Sequence, residues 1–266
     1  MKAICIFLVA LAVGTAVAQE VRESPEGVTI GIQGSFNFGR IDGYLQTPTG
    51  GHPGTSSKQR PKFNELGIND VAFYDTSVNM RWRDLRVYGE YEFIRLSDSA
   101  TLSQPLLTRG VSFSAGDHVS TDDQLDWGRI GAGWSFWFLD RRLELTPKAE
   151  LALFDFDYQI SSGTQSPTRS YIKGCGRVGV EATYYLNSRI SFKLDGGASL
   201  PLSNTPQIAT VTGTANLRVF ESHHAKGEVF AGVGMEWIDY EDNQTLPNHI
   251  KAEIGPFLTV GLGFSF

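Results

Sequence analysis

The chain has 266 residues with 29 glycines, 12% aromatic residues, and 23 Lys and Arg against 29 Asp and Glu, for a formal net charge of −6. That length suits one large domain or two small ones. The acidic balance excludes a nucleic-acid-binding surface, and no apolar run of about 18 residues follows the N-terminal segment to form a membrane helix.

The chain opens with MKAICIFLVALAVGTAVAQE. Lys2 supplies a positive start, Ile4 to Val13 an apolar core, and Ala16-Val17-Ala18 a small-x-small cleavage site. The pattern predicts a secretory signal peptide over 1–18. Cys5 lies inside the apolar core with no small residue before it, unlike a lipid-attachment cysteine. Cleavage leaves 22 basic and 29 acidic residues, a charge of −7, and one cysteine, Cys175, which cannot form an internal disulfide. A short N-terminal segment, 19–27, precedes the predicted barrel domain, 28–266.

Two-residue alternation begins at Val28. In VTIGIQGSFNFGR, Val28, Ile30, Ile32, Phe36 and Phe38 fall on one face, and Thr29, Gln33, Ser35 and Asn37 on the other. Period two predicts a strand with one apolar and one polar face. Nine further segments are predicted, at about 73–82, 85–95, 124–138, 143–158, 170–186, 189–202, 206–220, 225–240 and 249–266. Their linkers alternate between short (83–84, 139–142, 187–188, 221–225) and long (41–72, 96–123, 159–169, 241–248). The linker 203–205 is short where the pattern calls for a long one. Short turns at one end and long loops at the other, with an even strand number, are the signature of a transmembrane β-barrel. The expected fold is an all-β, closed antiparallel barrel of ten strands, with twelve or eight as alternatives. Residues 101–113 are expected to form a hairpin or excursion within the second long loop; as two wall strands they would raise the count to twelve.

Charge placement separates a membrane barrel from a soluble sandwich. By parity, the face opposite the apolar residues carries Arg81, Arg86, Arg129, Lys148, Lys173, Arg177, Lys193, Arg218 and Lys251. It also carries Glu90, Glu92, Glu144, Glu150, Glu181, Asp195, Glu228, Glu236 and Glu253. The apolar face carries charge only near long loops, at Arg40, Arg95, Asp126, Asp155, Asp157 and Asp239. A lipid-facing band requires this, because Arg or Lys at the bilayer midplane costs roughly 2–4 kcal/mol. Two aromatic belts are expected, Trp82, Phe138, Tyr184 and Phe220 near short turns and Tyr91, Phe93, Tyr171 and Trp237 near long loops. Equal numbers of inward charges predict a paired network that fills the lumen, whereas an ion-selective pore calls for a ring of one sign. Pro147 and Pro256 lie in predicted strands; apolar parity reads unchanged across both, with a local bulge or a lost ladder bond as the two ways to accommodate each.

The signal peptide, the alternating segments and the last strand, ending GLGFSF, resemble the bacterial outer-membrane β-barrel proteins, small porin-like barrels included. The resemblance implies a Gram-negative outer membrane as location, with lipid and lipopolysaccharide as surroundings. It also implies that Val260, Leu262, Phe264 and Phe266 act as the signal read by the barrel-assembly machinery. Ten strands resemble the omptin proteases, which use an Asp-x-Asp pair facing an Asp-x-His pair. Asp155 and Asp157 match the first pair, but no Asp-x-His exists: Asp117 and His118 are adjacent, and His249 has no acid two residues before it. General-base chemistry therefore lacks its histidine, and no enzyme activity is expected.

Other candidates read as structural. Asp117, His118, Asp122 and Asp123 are expected in a solvated acidic loop matching no defined calcium spacing. Asp155, Asp157 and Asp239 could meet cations between lipopolysaccharides. His223 and His224 fall in a short turn. In loop 41–72 the Pro/Gly/Ser/Thr-rich first half predicts mobility, and FNELGIND is expected to fold onto the rim or into the mouth. Cys175 is expected to be inward and buried. No cofactor or metal is called for. The expected role is structural or interactive, through the extracellular loops; the alternative is a narrow channel for small solutes, and an outer-membrane hydrolase ranks third.

Overall fold

The computed structural model describes residues 27–47, 59–222 and 225–266. The predicted signal peptide, the Pro/Gly/Ser/Thr-rich part of the first long loop (48–58) and His223–His224 lie outside the described residues.

Thirteen strand segments follow in order: β1 (Val28–Gln46), β2 (Asp70–Trp82), β3 (Leu85–Thr101), β4 (Leu106–Thr108), β5 (Val111–Phe113), β6 (His118–Trp134), β7 (Phe136–Phe138), β8 (Leu143–Ser161), β9 (Thr168–Tyr185), β10 (Ile190–Ser199), β11 (Gln207–Glu221), β12 (Lys226–Glu241) and β13 (His249–Ser265). β6 and β7 act as one wall strand, since the pairs Gly133–Lys148 and Phe136–Leu145 keep a single register against β8. The break falls at Ser135, diagonal to Pro147, which has no N–H to give the ladder. β4 and β5 pair only with each other, as a hairpin inside the second long loop. Ten antiparallel wall strands remain. β1 pairs with β13, and β6 with both β3 and β8, so the sheet closes with no edge. Closure satisfies every ladder without exposing an edge to lipid.

The outer surface of this wall is an apolar band. Ile32, Phe36, Val78, Val87, Ile130, Leu151, Val180, Leu194, Val233, Leu258 and Val260 all point outward and are exposed. Spanning a bilayer takes about 9–11 tilted residues. β10, with 10 residues, is just long enough, whereas β1 and β8 have 19 each. The surplus lies at the long-loop end, the extracellular end in such barrels, and there the polarity of the wall inverts. Arg40 and Asp42 on β1, Asp122 on β6, Asp157 on β8 and Glu241 on β12 face outward. Inside, Phe154, Phe156, Tyr158 and Ile160 are fully buried. Water outside and an apolar interior is the pattern of a soluble barrel, so the chain carries two barrels stacked end to end in one wall.

Three of the expected long loops, 41–72, 96–123 and 159–169, thus shorten, because their flanking strands run on. β2 begins only at Asp70, which leaves a gap between the outer parts of β1 and β3. Residues 61–69 fill it: Leu45 N donates to Pro61 O (3.0 Å), Ile41 N donates to Asn69 O (3.1 Å), and a short 3-10 turn, Phe63–Leu66, buries Phe63, Leu66 and Ile68. The FNELGIND segment therefore packs onto the rim, as its apolar residues require.

Inward parity breaks at two bulges, the larger in its effect on β13. Between Ile254 and Phe257 the register of β13 shifts against both neighbours, at Gly255 and the cis-linked Pro256. Gly255 has φ 132°, a region that favours glycine. The bulge inserts one residue and flips every side chain beyond it. Lys251 and Glu253, expected in the lumen, stand on the outer wall and pair with each other at 2.8 Å, while Ile250, Ala252 and Ile254 fill the interior. Parity does not continue across Pro256; it does across Pro147. A second shift, between Arg218 and Phe220, is what turns Phe220 outward.

Candidate functional site

Three zones divide the interior along the barrel axis. At the short-turn end lies a cavity of about 610 Å³, lined by Arg81, Arg86, Lys148, Glu181, Lys193, Asp195, Arg218 and Glu228, among others. It opens among the turn residues Asn187, Ser188, Arg189, Ser222 and Ala225. The predicted charges are here, but they line a vestibule instead of filling it, because their side chains pair along the wall. Arg81 and Arg86 both reach Glu144 (3.0 and 2.6 Å), and Lys148 reaches Asp195 (2.6 Å).

The middle zone is closed by polar packing. Arg177 is fully buried: its Nε donates to Glu150 (3.0 Å), and its two terminal nitrogens donate to Ile208 O and Thr210 Oγ1 (both 3.1 Å). Glu150 also accepts from Tyr88 and lies near Arg129 and Lys148 (3.9 and 3.8 Å). Trp127 sits between the guanidinium groups of Arg177 and Arg129, at 4.6 and 5.2 Å, and donates to Glu236 at 2.8 Å. Arg129 pairs with Glu90 at 2.7 Å, and Glu92 is buried beside them. Asp75, which parity reasoning did not collect, accepts from Ser35 and Asn37 inside the barrel. With Lys251 and Glu253 removed, the predicted set keeps eight charges of each sign, and the balance survives.

Above this belt the lumen is apolar. Phe154, Phe156 and Tyr158 stack along β8; Phe156 meets Tyr171 (4.9 Å) and Tyr171 meets Tyr240 (5.2 Å). Phe73 meets Phe257 edge-on at 5.2 Å; any Cβ at Gly39 or Gly234 would collide with Phe257. Leu106 and Phe113 of the β4–β5 hairpin add a lid, pinned where Thr108 bonds Thr47 (2.6 Å) and Tyr158 (3.2 Å). Tyr171, expected in the lipid-facing belt, is part of this plug: odd-numbered residues of β9 point inward, as Lys173 and Arg177 do. Trp82, Tyr91, Phe93, Phe138, Tyr184, Phe220 and Trp237 face outward. Cys175 is inward and buried, 3.3 Å from Ser199 Oγ.

A closed, edgeless wall with an apolar exterior, a charged lumen and short turns at one end decides the architecture. The fold is that of the bacterial outer-membrane β-barrels. No family model and no curated protein matches the chain. Solved structures with a similar fold include the outer membrane protease OmpT of Escherichia coli (11% identity, 94% of this chain and 100% of that one, TM-score 0.44). The translocator domain of the autotransporter NalP of Neisseria meningitidis is another (11%, 90% and 88%, TM-score 0.39). So is Ail, the attachment invasion locus protein of Yersinia pestis (12%, 88% and 98%, TM-score 0.33).

The omptin-like acids are not assembled into a cleft. Asp155 and Asp157 lie on the outer face of β8, and His118 begins β6 exposed. His249 does have an acid partner, across the ladder instead of along the strand: its Nε2 lies 3.0 Å from Asp239 and 3.2 Å from Tyr44 Oη. Alternation within one strand gives no sign of such a pair. All three sit on the outer wall above the apolar band, where no lumen acid faces them. Asp123 is a second departure. It lies on the inward face of β6, 1% exposed; Gln159 N donates to its Oδ1 at 3.3 Å, and its Oδ2 has no partner. Burial beyond the apolar band pushes its carboxyl well above the usual range. The expected acidic loop was in fact strand, so alternation places Asp123 inside and Asp122 outside.

Proposed function

We propose that this protein is a non-conducting, non-enzymatic outer-membrane barrel that holds a rigid cap above the membrane for binding at the cell surface. One observation carries the reading: an aromatic plug from Phe73–Phe257 to Phe156–Tyr171–Tyr240 packs across the long-loop end of the lumen, while the large cavity lies among the short turns. A conduction path needs a continuous polar route, and an aromatic core across the lumen supports the reading without one. The extended wall fits a binding role, since strands carried past the membrane fix the surface they present. The location proposed is the outer membrane of a Gram-negative bacterium, reached through a signal peptide cleaved after Ala18, with lipopolysaccharide as the outer neighbour and the assembly machinery as the folding partner.

Planar-bilayer recording of the purified barrel tests this. The expected result is no steady single-channel current. Regular conductance steps would favour the narrow-channel reading, with the vestibule as its inner mouth.

A further inference from the structure

The linker between β10 and β11 is short at the end where the others are long, and the structure gives this a consequence. β10 ends at Ser199 and β11 begins at Gln207, so this hairpin stops near the membrane surface. On that side β9 pairs with β10 only up to Arg177–Ser199, and β12 pairs with β11 only up to Asp239–Gln207. The cap therefore has a notch in its wall between β9 and β12, lined by inward-facing side chains of both strands.

A pocket of about 320 Å³ occupies the notch, lined by Arg169, Tyr171 and Lys173 of β9, Tyr240 of β12, and Asn204 and residues 242–244 of the adjoining loops. Its cations are notable for what holds them. Among the ion pairs of the described residues, neither Arg169 nor Lys173 has an acid partner; each lies 5.9 Å from a tyrosine ring, Tyr171 and Tyr240 respectively. Arg109, at the tip of the β4–β5 hairpin, is close enough for the charge of Arg169 to add to burial in lowering its affinity for a proton, and its Nε is spent on Thr168 O (3.1 Å). The acid present, Asp242, is taken up by its own loop: its carboxylate accepts from the backbone and side chains of Gln244 and Asn248. Arg169 Nε and Tyr171 Oη are buried with no hydrogen-bond partner. Elsewhere in the interior Arg81, Arg86, Arg129, Lys148 and Arg177 each pair directly with an acid. Here two cations line one pocket with no ion pair of their own among the described residues, Asp242 being bound within its own loop, and an anionic ligand would offset the cost of leaving them so.

We propose that the notch binds an anionic saccharide of about one or two rings, its phosphate or carboxylate on Arg169 and Lys173 and a ring face against Tyr171 and Tyr240. Pockets from about 300 Å³ suit small ligands of that size. Guanidinium and ammonium groups read the anion, the tyrosines offer flat apolar faces with polar edges, and the Asn204 and Gln244 amides can bond ring hydroxyls. The site deepens the surface-binding reading above and rests on it. The ligand could be a free sugar or the head group of a glycolipid at the membrane surface beside the notch.

The full chain, refolded in detergent, is titrated calorimetrically with glucose 6-phosphate, glucose, inorganic phosphate and a phosphorylated lipopolysaccharide. The expected result is binding of the sugar phosphate that is at least tenfold tighter than binding of glucose or phosphate, and at least tenfold weaker in both Arg169→Gln and Lys173→Gln. Heat-modifiable gel mobility confirms that each variant is folded, and the distant Lys226→Gln should leave binding unchanged. Binding of lipopolysaccharide alone, lost in the same two variants, also supports the site and assigns it to a lipid-linked sugar. Phosphate binding as tight as the sugar phosphate overturns the saccharide assignment. No binding by any anionic probe, or binding that survives both substitutions, overturns the site. Bilayer conductance on the same sample keeps this outcome separate from the plugged-barrel reading.

Discussion

The guanidinium of Arg177 lies 4.6 Å from the centre of the Trp127 ring, with neither side chain reached by solvent. Arg177 is bound on its other edges by Glu150, Ile208 O and Thr210. Removing one member of a buried, hydrogen-bonded pair strands the other, at about 3–5 kcal/mol. Arg177→Ala should therefore lose that order of stability in urea unfolding from lipid vesicles. Arg177→Met combined with Glu150→Gln should recover part of it. A single variant as stable as the parent would show that the belt does not hold the barrel together.

The plug makes a contrast between two tyrosines of one strand. Tyr171 packs between Phe156 and Tyr240, whereas Tyr184 faces outward. Truncating a large buried aromatic costs about 3–5 kcal/mol. Fully buried Phe156→Ala should fall in that range, half-buried Tyr171→Ala somewhat below it, and Tyr184→Ala lower still. Equal losses at 171 and 184 would return Tyr171 to the lipid-facing belt.

The bulge at Gly255–Pro256 predicts which side chains of β13 meet water. In a Cys175→Ser background, Lys251→Cys and Glu253→Cys should react quickly with a membrane-impermeant maleimide on intact cells. Ile250→Cys and Ile254→Cys should stay protected. The reverse pattern would mean that parity runs unbroken through Pro256.

Asp123 gives a pH test. Burial raises its carboxyl above the ordinary value in the folded state, so the folded chain holds a proton that the unfolded chain releases. Its contribution to stability is complete below the unfolded value of about 3.9 and is lost as pH rises through the raised folded value. Asp123→Asn keeps the shape without the titration. The variant should be the more stable at pH 7, by about 1–3 kcal/mol, the scale of an unsatisfied buried polar group. The gap should close in acid. A gap independent of pH would show that Asp123 is ionised in both states.

Alternation, charge placement and the short and long linkers pointed to a closed wall with ten strands as the leading count, to an excursion at 101–113 with two wall strands as its alternative, and to the face that meets lipid. Each of these follows from period two and from the cost of charge in hydrocarbon, which are local properties of a strand. FNELGIND was legible from Phe63, Leu66 and Ile68 as a segment that folds onto the rim or into the mouth, and the structure has it on the rim. Three things were decided only by the tertiary structure. A bulge changes parity by one residue without changing composition, so Lys251 and Glu253 read as lumen charges until the register of β13 against β1 and β12 is known. The polarity of the wall inverts above the membrane because the solvent outside changes from lipid to water, and the height of that boundary depends on how ten strands are staggered. The notch exists because β10 and β11 stop short beside β9 and β12, strands joined to it only through space; the sequence shows the short linker 203–205, but not that Arg169 and Lys173 are left beside it without an ion pair.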